Sequence, residues 1–191
     1  MATVREGNRG ALVVVDVQVG VVKDAWERDR VVGNVARAVE RARALDVPVI
    51  WVQHASDELP QGSAPWQLVP ELQPAAGEPV VHKRFESSFE QTTLESELAR
   101  RGTTHIALAG AQTNWCIRAT AYGALDRGYD LTLIKDAHTA ETIDLGDGAR
   151  LEAASVVTDL NIAMKWLSYP GRANGTATAA EVDFGQPAGK R

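Results

Sequence analysis

The segment that most restricts the fold is ALVVVDV, which follows Gly10. Residues 11–15 are all apolar, so neither face of a strand built from them suits water, and the run is far shorter than the roughly 20 residues that cross a bilayer. Strands buried on both faces belong to parallel sheets covered by helices. This segment is therefore expected at the centre of such a sheet, with Asp16 at its carboxyl end.

The rest of the chain alternates in the same sense. Across residues 30–45, Val31, Val32, Val35, Val39 and Ala42 recur at helical spacing with Arg37, Glu40, Arg41 and Arg43 largely between them, which predicts an amphipathic helix. VPVIWVQ reads as a second buried strand. Residues 54–79 carry Pro60, Gly62, Pro65, Pro70, Pro74, Gly77 and Pro79, which exclude a continuous helix or a central strand. Connections this long inside compact domains usually serve function. An apolar stretch at 79–81 leads to His82, Lys83 and Arg84; a helix is expected over 91–100, then strand HIALAG and helix NWCIRATAYGALDRG. Strand YDLTLIKDA and a helix across GARLEAASVVTDLN complete the order. The expected class is α/β, a three-layer α/β/α sandwich around a mainly parallel, doubly wound sheet. The tail, 171–191, is low in large apolar groups, although EVDF can dock as a short element.

The 191 residues are 45% hydrophobic and 24% charged, enough to bury one core, and no repeat or linker divides them, so one domain over 1–191 is expected. A net charge of -5 with scattered basic residues argues against nucleic acid or an anionic membrane as partner, because phosphate-rich surfaces select clustered Lys and Arg. No stretch reads as a secretory signal or a spanning helix, which predicts a cytoplasmic protein. No G-x-S-x-G elbow, phosphate loop, H-E-x-x-H or C-x-x-C is present.

Cys116 is the only cysteine, so no intrachain disulfide forms and cysteine-rich zinc sites are excluded. It falls in the first turn of the helix after HIALAG, where free N–H groups and the helix dipole are expected to lower a thiol pKa. On position alone, a buried cysteine packing as a small hydrophobe fits equally. Asp16 stands where open α/β sheets form their ligand crevice, or caps a loop. Lys83, taken alone, fits a solvated basic turn.

Three blocks change that balance: DVQ at 16–18, HKRFESSFEQTTL from His82, and GAQTNWCIRATAYGALDRGYDLTLIKDAHTAE from Gly110. Together they resemble the isochorismatase-like cysteine hydrolases, over roughly residues 12–160. The resemblance implies a catalytic set with Cys116 as nucleophile, Asp16 as the base that takes its proton and returns it to the leaving amine, and Lys83 holding both anions. It implies oxyanion donors at the backbone N–H groups of Gln112 and Cys116, and a cis peptide at Ala111–Gln112, although many relatives have Val or Ile where this chain has Ala111. It also implies a small-molecule substrate and assembly as a homodimer or homotetramer.

Gln18, His54, Phe85 and Trp115 are expected to line or support the substrate pocket. Nicotinamidases of the superfamily carry an Asp-x-His pair after the second strand; this chain has Gln53 and His54 there and no further histidine until His82. Catalytic zinc usually takes three protein ligands, so neither a metal nor another cofactor is expected. His105 and His138 read as structural or exposed. The expected reaction is cleavage of a C–N bond in a small amide, ureido or carbamoyl compound through a thioester. Alternatives are vinyl-ether hydrolysis of an isochorismate type through Asp16 and Lys83, and a non-catalytic scaffold.

Overall fold

The computed structural model describes residues 2–185. The all-apolar run forms most of β1 (Arg9–Val15), followed by a short α1 (Val19–Val22) and the amphipathic α2 (Arg28–Ala44). Then come β2 (Val49–His54), β3 (Val80–Lys83), α3 (Leu94–Arg100) and β4 (Thr103–Ala111). A π-helical turn at Thr113–Ile117 runs into α4 (Arg118–Asp126), and β5 (Asp130–Thr139) follows. The strands β6 (Ile143–Gly146) and β7 (Ala149–Leu151) precede α5 (Ala153–Trp166) and β8 (Asn174–Ala177).

Six strands make one sheet in the order β3-β2-β1-β4-β5-β8, every neighbouring pair parallel. The alternation of side chains along β1 divides the core. Leu12 and Val14 join Val31, Val35, Val39 and Ala42 of α2 on one face, where Val182 and Phe184 of the tail also pack. Val13 and Val15 join Leu94 and Leu98 of α3, Ala121 and Leu125 of α4, and Leu160 and Met164 of α5 on the other. Each fully buried aliphatic side chain contributes about 1.5–3 kcal/mol relative to exposure, so both faces of β1 hold the layers together.

The strand order reverses between β1 and β4. The chain proceeds outward from β1 to β2 and β3, then returns to the other side of β1 with β4. At such a switch point the following loops diverge and leave a crevice at the carboxyl ends of the strands. Gly110 allows β1 and β4 to approach there. Its φ is +127°, and a Cβ added to it would lie 1.9 Å from the Val15 carbonyl oxygen.

Three expectations are corrected. The helix placed across 148–161 begins only at Ala153; the segment before it is the antiparallel β6–β7 hairpin. Its two-residue loop, Asp147-Gly148, has φ of +52° and +79°, the left-handed pair that tight hairpins use. The helix placed over 91–100 starts at Leu94, because Gln91 is left-handed at φ +50°. The helix carrying Cys116 opens as a π turn, with the Ile117 N–H donating to the Gln112 carbonyl five residues back at 3.1 Å.

The tail is more ordered than its composition suggests. Asn174–Ala177 pairs with β5, and Ala179, Val182 and Phe184 are buried; the tail's strand precedes EVDF, which packs its Val182 and Phe184 without forming a regular element. The last part of that tail, 186–191, lies outside the described residues.

Candidate active site

The carboxyl ends of β1, β3 and β4 gather the three chemistry-bearing side chains. Asp16 follows β1 directly in a left-handed conformation (φ +53°), which Asp tolerates better than most residues, and its N–H donates to the Val52 carbonyl at 2.9 Å. Lys83 ends β3. Its Nζ lies 2.7 Å from Asp16 Oδ2 and donates to Cys116 Sγ at 3.1 Å and to the Phe85 carbonyl at 3.1 Å. Asp16 and Lys83 are almost wholly buried, while Cys116 keeps intermediate exposure. The Ala111–Gln112 peptide just ahead of the π turn is cis.

Burial pushes the Asp16 carboxyl above its ordinary range, against the pull of Lys83. Burial alone would lower the Lys83 ammonium, but the charges of Asp16 and Cys116 outweigh it and raise its pKa. The Cys116 thiol is pushed up to about 12, first by burial and then by the neighbouring carboxylate. This reverses the expected depression: Lys83 pulls the thiol down, but less strongly than those two effects push it up. Burial and the carboxylate thus favour the protonated thiol, and Lys83 favours the thiolate. A carboxylate of raised basicity next to a thiol can accept its proton as attack begins.

His54, at the end of β2, completes the arrangement. Its Nδ1 lies 3.3 Å from Lys83 Nζ, and an ammonium there excludes a proton on that nitrogen. The neutral ring therefore carries its proton on Nε2, in line with a pKa lowered by burial and by Lys83. Gln18 holds His54 by its backbone: Oε1 accepts from the His54 N–H at 2.8 Å, and Nε2 donates to the His54 carbonyl at 3.0 Å and the Trp66 carbonyl at 2.7 Å. Gln18 is fully buried, so it mounts the wall and does not face an open pocket.

Phe85 and Trp115 are exposed, at 43% and 53%. Phe85 lines a cleft of about 230 Å³ together with Ala55, Gln61, Lys83, Arg84 and Gln91. Trp115 stands on the π turn beside Cys116, outside that cleft. The long connection over 54–79 is tied to this end of the sheet by Trp66, whose carbonyl accepts from Gln18 and Gln53, and by buried Val69 and Leu72.

Several side-chain contacts of the site escaped sequence reasoning. The Gln112 side chain donates to Glu141 Oε1 at 2.9 Å and to the Val21 carbonyl at 3.2 Å, linking the start of the π turn to α1 and to the loop after β5. Beneath the turn, Thr113 meets His138, and His138 meets Asn161. The position of His138 near the carboxyl end of a parallel strand was the available signal.

Among the described residues, no three His, Cys, Asp or Glu side chains gather to hold a metal ion, and no helix is long and apolar enough to cross a membrane.

A parallel sheet with this switch point places these side chains in a crevice at the carboxyl ends of its strands, and comparison with known proteins identifies the family. Residues 10–160 match the isochorismatase domain. The chain belongs to the isochorismatase family. It is 35% identical over 146 residues to a streptothricin hydrolase of Streptomyces noursei, across 72% of this chain and 57% of that protein, so it spans little more than half of that relative's length. It is 29% identical to a ureidoacrylate amidohydrolase of Methylobacterium radiotolerans, across 88% of this chain and 83% of that one. A cysteine hydrolase structure from Pseudomonas syringae pv. phaseolicola 1448A superposes with a TM-score of 0.80 at 22% identity, covering 92% of this chain and 91% of that one, and shares the fold.

Proposed function

We propose that this protein is a metal-independent cysteine hydrolase that cleaves a C–N bond in a small amide, ureido or carbamoyl compound. The observation that carries the reading is the Lys83 ammonium bridging Asp16 at 2.7 Å and Cys116 at 3.1 Å. The amidohydrolases among its relatives support the reaction class.

In this reading Cys116 Sγ bonds to the substrate carbonyl carbon as its proton passes to Asp16. Burial and the neighbouring carboxylate raise the thiol pKa, which favours proton transfer to Asp16 as attack proceeds. The backbone N–H groups of Gln112 and Cys116 receive the oxyanion, a contribution of about 3 kcal/mol per donor in comparable sites. Asp16 returns the proton to the leaving nitrogen, the C–N bond breaks, and water releases the acid from the thioester. Lys83 keeps the carboxylate and the developing thiolate together. His54 offers its Nε2–H to a substrate acceptor, Phe85 supplies an apolar wall of the cleft, and Trp115 is an exposed apolar surface beside Cys116. Family resemblance supports a homodimer or homotetramer, measurable by light scattering.

The test is ammonia release from a panel of small amides and ureido compounds, with Cys116→Ala alongside, chelator present in a parallel set, and isochorismate included with pyruvate followed separately. Ammonia that depends on Cys116 and survives chelation is the expected result. Pyruvate formed equally by Cys116→Ala would transfer the chain to vinyl-ether hydrolysis.

A further inference from the structure

Thr113 opens the turn that carries Cys116, and it is fully buried. Its Oγ1 lies 2.9 Å from His138 Nδ1. On the far side of that ring, His138 Nε2 lies 3.1 Å from Asn161 Oδ1, and Asn161 Nδ2 donates to the Lys135 carbonyl at 3.1 Å. A carbonyl only accepts, so the Asn161 amide nitrogen faces Lys135 and its oxygen faces His138. His138 must then donate through Nε2, which leaves Nδ1 as the acceptor for the Thr113 hydroxyl. One direction of donation runs from the turn, through β5, to α5.

We infer that His138 is a positioning residue that acts through Thr113 to hold the turn bearing the nucleophile and both oxyanion donors. The inference rests on the reading of Cys116 as that nucleophile. Thr113 is flanked by Gln112 on one side and, three residues on, by Cys116. The turn between them closes in π-helical register, with the Ile117 N–H donating to the Gln112 carbonyl at 3.1 Å and the Arg118 N–H to the Thr113 carbonyl, while the Trp115 N–H also donates to Gln112 at 3.2 Å. The buried Thr113–His138 bond ties that short, unusual turn to β5 through a side chain as well. Burial lowers the pKa of His138 to about 4, so the ring stays neutral and keeps this donor order at ordinary pH. Misplacing a reacting group by about 1 Å can cost on the order of 100-fold in rate, so a modest shift of the turn is detectable.

The experiment uses p-nitrophenyl acetate, which reports on the thiol without requiring the natural substrate. Cys116 Sγ forms the bond to the acetyl carbon, the bond to p-nitrophenolate breaks, and the thiol proton passes to Asp16. Acylation is followed by p-nitrophenolate release and by the mass of the acetylated protein. Thr113→Val, which removes the hydroxyl at similar volume, is expected to slow acylation by about tenfold, and Thr113→Ser to restore it to within about twofold of the parent. Equal acylation by the parent and Thr113→Val would overturn the proposal while leaving the nucleophile intact. A parent that is not acylated at Cys116 would overturn the nucleophile reading and this inference with it. Nitrogen NMR of the imidazoles gives a measurement independent of whether Thr113→Val folds: His138 is expected in the Nε2–H form, and the Nδ1–H form would refute the donor order.

Discussion

His105 and His138 are both about 1% exposed, and burial holds both rings below the ordinary histidine pKa, yet they stand at opposite ends of the sheet. His105, near the start of β4, has Nδ1 2.9 Å from the Phe184 carbonyl and Nε2 2.9 Å from Thr132 Oγ1. Because the carbonyl can only accept, His105 is protonated on Nδ1, the opposite tautomer to His138. One histidine fastens the chain's tail to the amino ends of the strands; the other lies under the Cys116 turn at the carboxyl ends. Burial and neutrality are shared, so strand direction separates a stabilising histidine from one placed to serve the site.

The largest test of this division is chemical. Cys116→Ala is expected to remove turnover by about 10⁴-fold or more while moving the melting temperature little, because Cys116 is only partly buried. Lys83→Arg is expected to lose most activity too, since a forked guanidinium does not replace a compact ammonium among Asp16, Cys116 and the Phe85 carbonyl. Turnover by Lys83→Arg at the parental rate would break the claim that the carboxyl end is built around that ammonium.

Two glycines sharpen the comparison through stability. A Cβ at Gly110 meets the Val15 carbonyl oxygen at 1.9 Å, and one at Gly10 meets the Phe184 carbonyl oxygen at 1.7 Å. The clashes are alike, but Val15 lies in the central strand whereas Phe184 lies in the tail. Gly110→Ala also adds a side chain at φ +127°. It is expected to cost about 4 kcal/mol or more, seen as loss of soluble protein or a collapsed denaturation midpoint. Gly10→Ala is expected to cost less, because the tail can lift locally. Equal losses would mean that the tail is as integral as β1.

How much of this was legible follows from range. The strand ending at Asp16, the helix α2 and the placement of Lys83 and Cys116 near strand ends could be read from short apolar runs, because burial acts on residues close in sequence. The β6–β7 hairpin also had a local signal, Asp147-Gly148, which the helical reading of the following residues overrode. The direction of the Cys116 pKa was not legible, since it depends on the depth at which Asp16 and Lys83 meet the thiol. Nor was the Thr113–His138–Asn161 chain, whose members lie 23 and 25 residues apart in sequence. Docking of the tail was suggested by EVDF, but its seat against Gly10 and His105 depends on a contact across most of the chain.

At the amino end, Phe184→Ala is expected to cost about 3 kcal/mol, as truncation of a buried aromatic does, and to leave Cys116 acylation unchanged. Chemical denaturation beside the acylation assay measures both. A variant that lost acylation at full stability would couple the tail to the site and dissolve the contrast between the two ends.

A further effect concerns acid. A histidine whose pKa is lowered on folding is protonated more readily in the unfolded chain, so stability is fully present above the unfolded value and declines as pH falls towards the folded value. For His138 the window runs from about 6.5 down to about 4, an interval worth roughly 3 kcal/mol. His105 is shifted in the same direction, so it adds to the loss. His138→Gln should flatten its share of the decline between about pH 6.5 and 4, and His105→Gln should flatten a separate share, measured by urea denaturation across that window. Only His138→Gln should also slow acylation of Cys116. If both variants flatten the decline and both leave acylation untouched, the two histidines do the same work and strand direction does not distinguish them.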